Sequence, residues 1–137
     1  MSFLLDTNLI SELRKGSKCN RSVWNWYQAV SMEDLFLSVL TPGEIRRGIE
    51  MCRLKDVARA RVYESWLRGL ENGFKERILP VTDEIADLWG RLSVRQPLPI
   101  IDGLLAATAQ HHGLTVVTRN TADFQRSGVD YLNPFTD

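Results

Sequence analysis

Cysteine and histidine are scarce: Cys19, Cys52, His111 and His112 are the whole supply in 137 residues. Two cysteines cannot build a disulfide scaffold, and the four side chains together lack a zinc-site spacing. The cysteines therefore read as plain thiols in a reducing compartment. Net charge is missing too, because 17 Lys plus Arg balance 17 Asp plus Glu. With no bulk basic field, a nucleic-acid partner must be held by a local patch. No stretch approaches the roughly 20 apolar residues of a membrane span. The apolar run before Asp6 is too short for a secretion signal, which needs a basic start and roughly 7–15 apolar residues. The expectation is a soluble, cytoplasmic protein. Repeats, low-complexity runs and linkers are absent as well. Hydrophobic residues, at 44 %, are plentiful, enough for the core of one ordinary domain spanning 1–137.

Short apolar runs alternate with longer helical patterns. Phe3–Leu5, Leu35–Val39, Ile78–Val81 and Leu114–Val117 read as buried strands, with Val129–Leu132 as a fifth at the edge. Between them, helical spacing covers Leu9–Leu13, Val23–Val30, a segment from Glu44 through about Met51, Lys55–Phe74, Thr82–Val94 and Ile101–His112. Gly113 ends the last of these, and Asn120–Gln125 is a short turn or helix. This alternation predicts an α/β fold with a mostly parallel sheet of four to five strands.

Sites on open parallel sheets form beyond the carboxyl ends of the strands. Asp6 follows the first strand, Glu44 the second and Asp123 the fourth, while Asp102 opens the small-residue helix. Three of these have structural explanations. Thr41-Pro42-Gly43-Glu44 has the form of a capping box, Asn120-Thr121-Ala122-Asp123 resembles the same device, and Asp102 suits a helix amino end. Asp6 is harder to explain, since charge directly after an apolar strand is costly unless exposed or paired. As a set, four close carboxylates repel and are held together economically only by cations. All-oxygen ligands favour Mg²⁺ or Mn²⁺ over zinc. Such a centre suits phosphodiester hydrolysis by a metal-activated water, with no protein nucleophile.

The segments Phe3-Leu4-Leu5-Asp6-Thr7-Asn8, Thr41-Pro42-Gly43-Glu44-Ile45, Ile101-Asp102-Gly103-Leu104-Leu105-Ala106-Ala107-Thr108-Ala109 and Val117-Thr118-Arg119-Asn120-Thr121-Ala122-Asp123-Phe124 resemble, in order and across essentially the whole chain, the PIN-domain proteins. The likeness is to toxins of the VapC/FitB type. It implies a three-layer α/β/α fold and a metal-dependent endoribonuclease whose acidic quartet is Asp6, Glu44, Asp102 and Asp123. It also implies Thr7, Asn8, Thr118 and Asn120 as groups that hold the acids or water. A homodimer and a small antitoxin covering the site are further implications.

An acidic rim repels RNA, so basic groups nearby must bind it. From Arg46 to Arg77 there are nine Lys/Arg against five Asp/Glu. Arg46, Arg47, Arg53 and Arg119 are the candidates for phosphate contact, against the alternative of a solvated helix face with ion pairs. Trp24, Trp26, Tyr27, Trp66 and Trp89 could stack on bases, although their helical spacing favours core packing. The Tyr63–Phe74 stripe is the candidate surface for an antitoxin helix. His111 and His112 suit a helix carboxyl end. Two other enzyme and signalling readings fit poorly. A haloacid-dehalogenase-like phosphatase needs an acid where Asn8 stands, and a receiver-like module needs a late Lys, yet no Lys follows Lys75. A catalytically silent PIN-like module binding RNA or protein stays open as the alternative.

Overall fold

Five short strands pair only in parallel in the computed structural model, which describes residues 1–135. They are β1 (Phe3–Leu5), β2 (Leu35–Ser38), β3 (Ile78–Leu79), β4 (Thr115–Val117) and β5 (Tyr131–Leu132), in the order β3-β2-β1-β4-β5. The helices are α1 (Thr7–Leu13), α2 (Arg21–Ala29), α3 (Leu40–Arg53), α4 (Val57–Phe74), α5 (Asp83–Arg95), α6 (Ile100–His112) and α7 (Thr121–Ser127). The last two residues, 136–137, lie outside the described part of the 1–137 domain reading.

The strands are apolar at nearly every position, Ser38 and Thr115 at their ends excepted, because both faces of the sheet are covered. Phe3 and Leu5 of β1 point into one core, with Leu35, Leu37 and Val117 from the neighbouring strands and Leu9, Ile10, Val23, Ile45, Ile49, Leu67 and Phe74 from α1 to α4. Leu4 points the other way, into a second core with Val116, with Leu105, Ala106 and Ala109 of α6, and with Phe124 of α7. The alanines let α6 lie close to the sheet. Two cores on opposite faces make the three layers.

Strand boundaries shorten where competing chemistry takes over. β3 stops at Leu79, because Pro80 has no N–H for the ladder and Thr82 is already capping α5 through its bond from the Ile85 N–H (3.3 Å). β2 stops at Ser38, whose hydroxyl accepts from the Leu40 N–H (3.1 Å), and Val39 takes helical angles. The helix thus starts before Pro42, which sits in the first turn, where a missing N–H costs nothing. Thr41 is therefore not the cap. At the other end of the fold, Gly113 closes α6 with φ 68°, a left-handed position that favours glycine. No helix among the described residues is long and apolar enough to cross a membrane.

The strand order decides where a site can form. The chain runs outward from β1 to β2 and β3, then returns to the other side of β1 for β4 and β5. The crevice beyond the carboxyl ends of β1 and β4 is the point at which this order reverses.

Candidate active site

Asp6 and Thr118, 112 positions apart in sequence, meet in that crevice. Asp6 is the first residue past β1 and Thr118 the first past β4, strands that pair directly. The Thr118 hydroxyl donates to Asp6 Oδ2 (2.8 Å), the Asn8 amide donates to the same oxygen (3.1 Å), and the Thr7 N–H donates to Asp6 Oδ1 (2.7 Å). Asp6 is thereby the amino-terminal cap of α1 while being only 6 % exposed. Burial raises its carboxyl above the ordinary range, and the three hydrogen bonds oppose that only in part. The two loops are stitched further. Asn8 donates to Thr118 Oγ1 (3.3 Å), its carbonyl accepts from the Arg119 N–H (3.1 Å), and the Asn120 N–H donates to Thr118 Oγ1 (2.9 Å).

The other acids arrive by similar ties. The Thr7 hydroxyl donates to Glu44 Oε1 (2.6 Å), drawing the first turns of α1 and α3 together. Asn120 donates through one amide nitrogen to Asp102 Oδ2 (3.1 Å) and to Asp123 Oδ2 (2.8 Å). Both capping-box readings are thus corrected. Glu44 is turned toward Thr7, and the Asn120 side chain makes no cap bond because it is holding two carboxylates. All four acids and all four of Thr7, Asn8, Thr118 and Asn120 belong to one network. Replacing Asn120 by Ala is expected to weaken Mn²⁺ binding about tenfold, checked by calorimetric titration of the partner-free protein.

Environment drives two of the carboxylates apart. Burial, the hydrogen bond to Asp123, and the charges of Asp6, Asp123 and Glu44 push Asp102 up to about 7. Asp123 is held below its ordinary value by the Asn120 amide and by Arg126, which donates to Asp123 Oδ1 (2.6 Å). Asp102 is therefore the member of this pair that keeps its proton. Arg126 escaped the sequence reading; its signal was the three-residue spacing from Asp123 on a helix.

The candidate phosphate-binding arginines divide. Arg46 pairs with Glu50 and Glu64, and Arg53 pairs with the same two carboxylates (3.0 Å to each), so both pin α3 to α4. For these two the ion-paired helix face is what the structure has. Arg47 donates to the sulfur of Met51 (3.3 Å), and the Arg119 guanidinium lies over the Phe135 ring (4.7 Å). His111 and His112 are at the far end of α6 from Asp102, about 15 Å along the axis, too far to join the acids.

Beside Glu44 and Thr7 a cleft of about 230 Å³ opens, walled by Ile45, Ile49, Tyr63 and Trp66. Arg14, its guanidinium 4.2 Å from the Tyr63 ring centre, separates it from a second cleft of about 300 Å³ lined by Leu13, Trp24, Tyr27, Leu70 and Phe74. Part of the Tyr63–Phe74 stripe thus faces open clefts, whereas Leu67 is a core residue and Phe74 is largely buried at the floor of the second cleft. Trp26 is packed edge-on against Phe3, ring centres 5.3 Å apart, and is also a core group.

Among the described residues no three acidic, imidazole or thiol groups form a ready-made metal cage. The chemistry of the donors nonetheless suits a hard cation. They are all oxygen, and Asp102, raised by burial and by the charges of Asp6, Asp123 and Glu44, stands in a carboxylate cluster whose charge a cation would offset.

Known proteins share this arrangement of elements. The chain is 34 % identical over 142 residues to Toxin FitB of Neisseria gonorrhoeae, covering 98 % of this chain and 99 % of that one. It is 34 % identical to the VapC ribonuclease Y4jK of Sinorhizobium fredii, with 96 % of each covered. The crystal structure of FitAcB from N. gonorrhoeae superposes with a TM-score of 0.86 at 33 % identity, covering 96 % of this chain and 97 % of that one. A toxin–antitoxin complex from Klebsiella pneumoniae superposes with a TM-score of 0.76 at 27 % identity, covering 99 % and 100 %. The PIN domain sequence pattern itself matches residues 3–129, a span that begins at β1 and contains every one of the converging acids, and on that basis the chain belongs to the PIN domain family.

Proposed function

We propose that this protein is a metal-dependent endoribonuclease and the toxin of a toxin–antitoxin pair, working in the cytoplasm as a homodimer. The observation that carries this reading is the single hydrogen-bonded network through which Asp6, Glu44, Asp102 and Asp123 are brought to the crevice beyond β1 and β4. Two similar proteins bear the names Toxin FitB and VapC ribonuclease, and a third occurs in a toxin–antitoxin complex.

In this reading Asp6, Glu44, Asp102 and Asp123 hold Mg²⁺ or Mn²⁺. The cation, when bound, supplies an activated water for in-line attack on a phosphodiester and a counter-charge for the developing anion. The chain's own residues do the rest. Thr118 and Asn8 fix the Asp6 carboxylate, Thr7 fixes Glu44, and Asn120 keeps Asp102 and Asp123 side by side. Arg119, directly after Thr118 in the site loop, and Arg47, three residues past Glu44, are the proposed phosphate contacts, and Arg46 and Arg53 tie α3 to α4. The two clefts along Tyr63, Trp66 and Leu70 are the surface assigned to the antitoxin, apolar enough for a partner helix and adjoining Glu44.

The test is incubation of purified, partner-free protein with structured RNA in Mg²⁺, Mn²⁺ or EDTA. Cleavage is expected only with the metals, leaving 5′-phosphate and 3′-hydroxyl ends, because a water nucleophile needs no 2′-oxygen. Cyclic-phosphate products, or equal cleavage in EDTA, would refute the mechanism. Addition of the protein encoded beside it is expected to suppress cleavage.

A further inference from the structure

Asp102 is held from the front by the Asn120 amide at 3.1 Å and by its hydrogen bond with Asp123. From behind, the structure offers a different device. A Cβ placed on Gly103 would stand 2.9 Å from both Cδ1 and Nε1 of Trp89, closer than real Cβ contacts come. The missing side chain at 103 is therefore the seat of the indole, which α5 lays against the first turn of α6. That turn needs support. Pro99, its capping residue, supplies no side-chain hydrogen bond, and the Gly103 N–H donates to the Pro99 carbonyl (2.9 Å). Asp102 lies between those two residues, directly before the glycine on which the indole sits.

We propose that Trp89, seated on Gly103, is a positioning residue that sets the backbone of Asp102 against the other three acids. The inference rests on the metal-site reading above, but it concerns where this chain puts Asp102, with or without an ion. No hydrogen bond among the described residues joins Trp89 to the acids' network, and its effect passes through the backbone at 102–103.

Three variants test it: Gly103→Ala, Trp89→Leu and the double substitution. Two readouts are taken on each folded protein. One is the Mn²⁺ dissociation constant by calorimetry; the other is the NMR position of the Asn120 side-chain amide, which reports the Asp102 contact in the metal-free protein. Gly103→Ala should weaken Mn²⁺ binding about tenfold and shift the Asn120 amide. Trp89→Leu should move both in the same sense by less. The double variant should recover much of the loss, because the new methyl takes part of the space the indole vacated.

The proposal is overturned if Gly103→Ala keeps wild-type affinity and amide positions, the indole having slid into the neighbouring cavity of about 170 Å³ between Leu92, Leu98 and Ala106. It is equally overturned if the double variant is no nearer wild type than Gly103→Ala. Should Gly103→Ala fail to fold, Trp89→Leu decides, and unchanged readouts there refute the idea. If the wild type itself binds no Mn²⁺, the metal-site reading fails, while the Asn120 amide still decides the role of Trp89.

Discussion

Asp6→Asn should lower metal-dependent RNA cleavage on the order of a thousandfold, several kcal/mol of transition-state stabilisation, and leave the melting temperature equal to wild type or above it. The side chain keeps its shape. Its remaining carbonyl oxygen can still accept from the Thr7 N–H, while the bonds from Thr118 and Asn8 to the other oxygen are given up, because an amide nitrogen only donates. What disappears is a negative charge that the fold does not welcome. Asp6 is 6 % exposed, and burial outweighs its three hydrogen bonds in setting its proton affinity. A neutral isostere therefore relieves folding while removing a cation ligand, and the two effects have opposite signs. Parallel measurements of cleavage rate and thermal unfolding check both. A variant that cuts at the wild-type rate would remove Asp6 from the machinery. One that cuts slowly and also melts much lower would make its role structural.

Cation affinity should depend steeply on pH, and stability should run the other way. Asp102 must be ionised to hold a cation, yet its surroundings push it up to about 7. Below that pH a proton competes with the metal, so Mn²⁺ affinity is expected to fall about tenfold per unit and to level off above it. Titrations in buffers of different ionisation enthalpy should register about one proton released per ion near pH 6 and none near pH 8.5. In EDTA the same group acts on folding. The unfolded chain gives up this proton near the ordinary value of 3.8, whereas the folded chain keeps it to about 7. Across that window the folded state binds more protons, so its stability declines as pH rises. Asp6, also raised, adds in the same direction. The lowered carboxylates Asp123, Glu12, Glu50 and Glu64 act at the acid end of the scale instead. The expected result is a melting temperature that drops between pH 5 and pH 8 in EDTA, with the drop removed by Mn²⁺. A flat profile would mean that Asp102 is not crowded by the other acids.

Much of this is written along the chain. Apolar runs too short for helices and apolar at every position announce strands covered on both faces, and Leu4 between Phe3 and Leu5 shows it in three residues. Ala106, Ala107 and Ala109 announce a helix that approaches the sheet closely. Asp6, Glu44, Asp102 and Asp123 are legible because each stands where a strand has just ended or a helix is beginning, and a parallel sheet collects such positions on one edge.

Local pattern could not say what those residues would hold on to. Thr41-Pro42-Gly43-Glu44 is a sound capping box when only four residues are considered. Ser38 takes the capping role, and Glu44 goes to a threonine 37 positions away, because α1 and α3 begin side by side. Asn120 gives up its cap bond because the start of α6 brings Asp102 within reach beside Asp123. Arg46 and Arg53 carry a charge that the sequence offers to a phosphate, but α4 brings Glu64 to them first. The types of the site residues, their order and the chemistry they suit are properties of the sequence alone. Strand order belongs to the tertiary structure: by setting β4 beside β1 it turned scattered acids, hydroxyls and amides into one hydrogen-bonded site, and by laying Trp89 on Gly103 it set the place of Asp102.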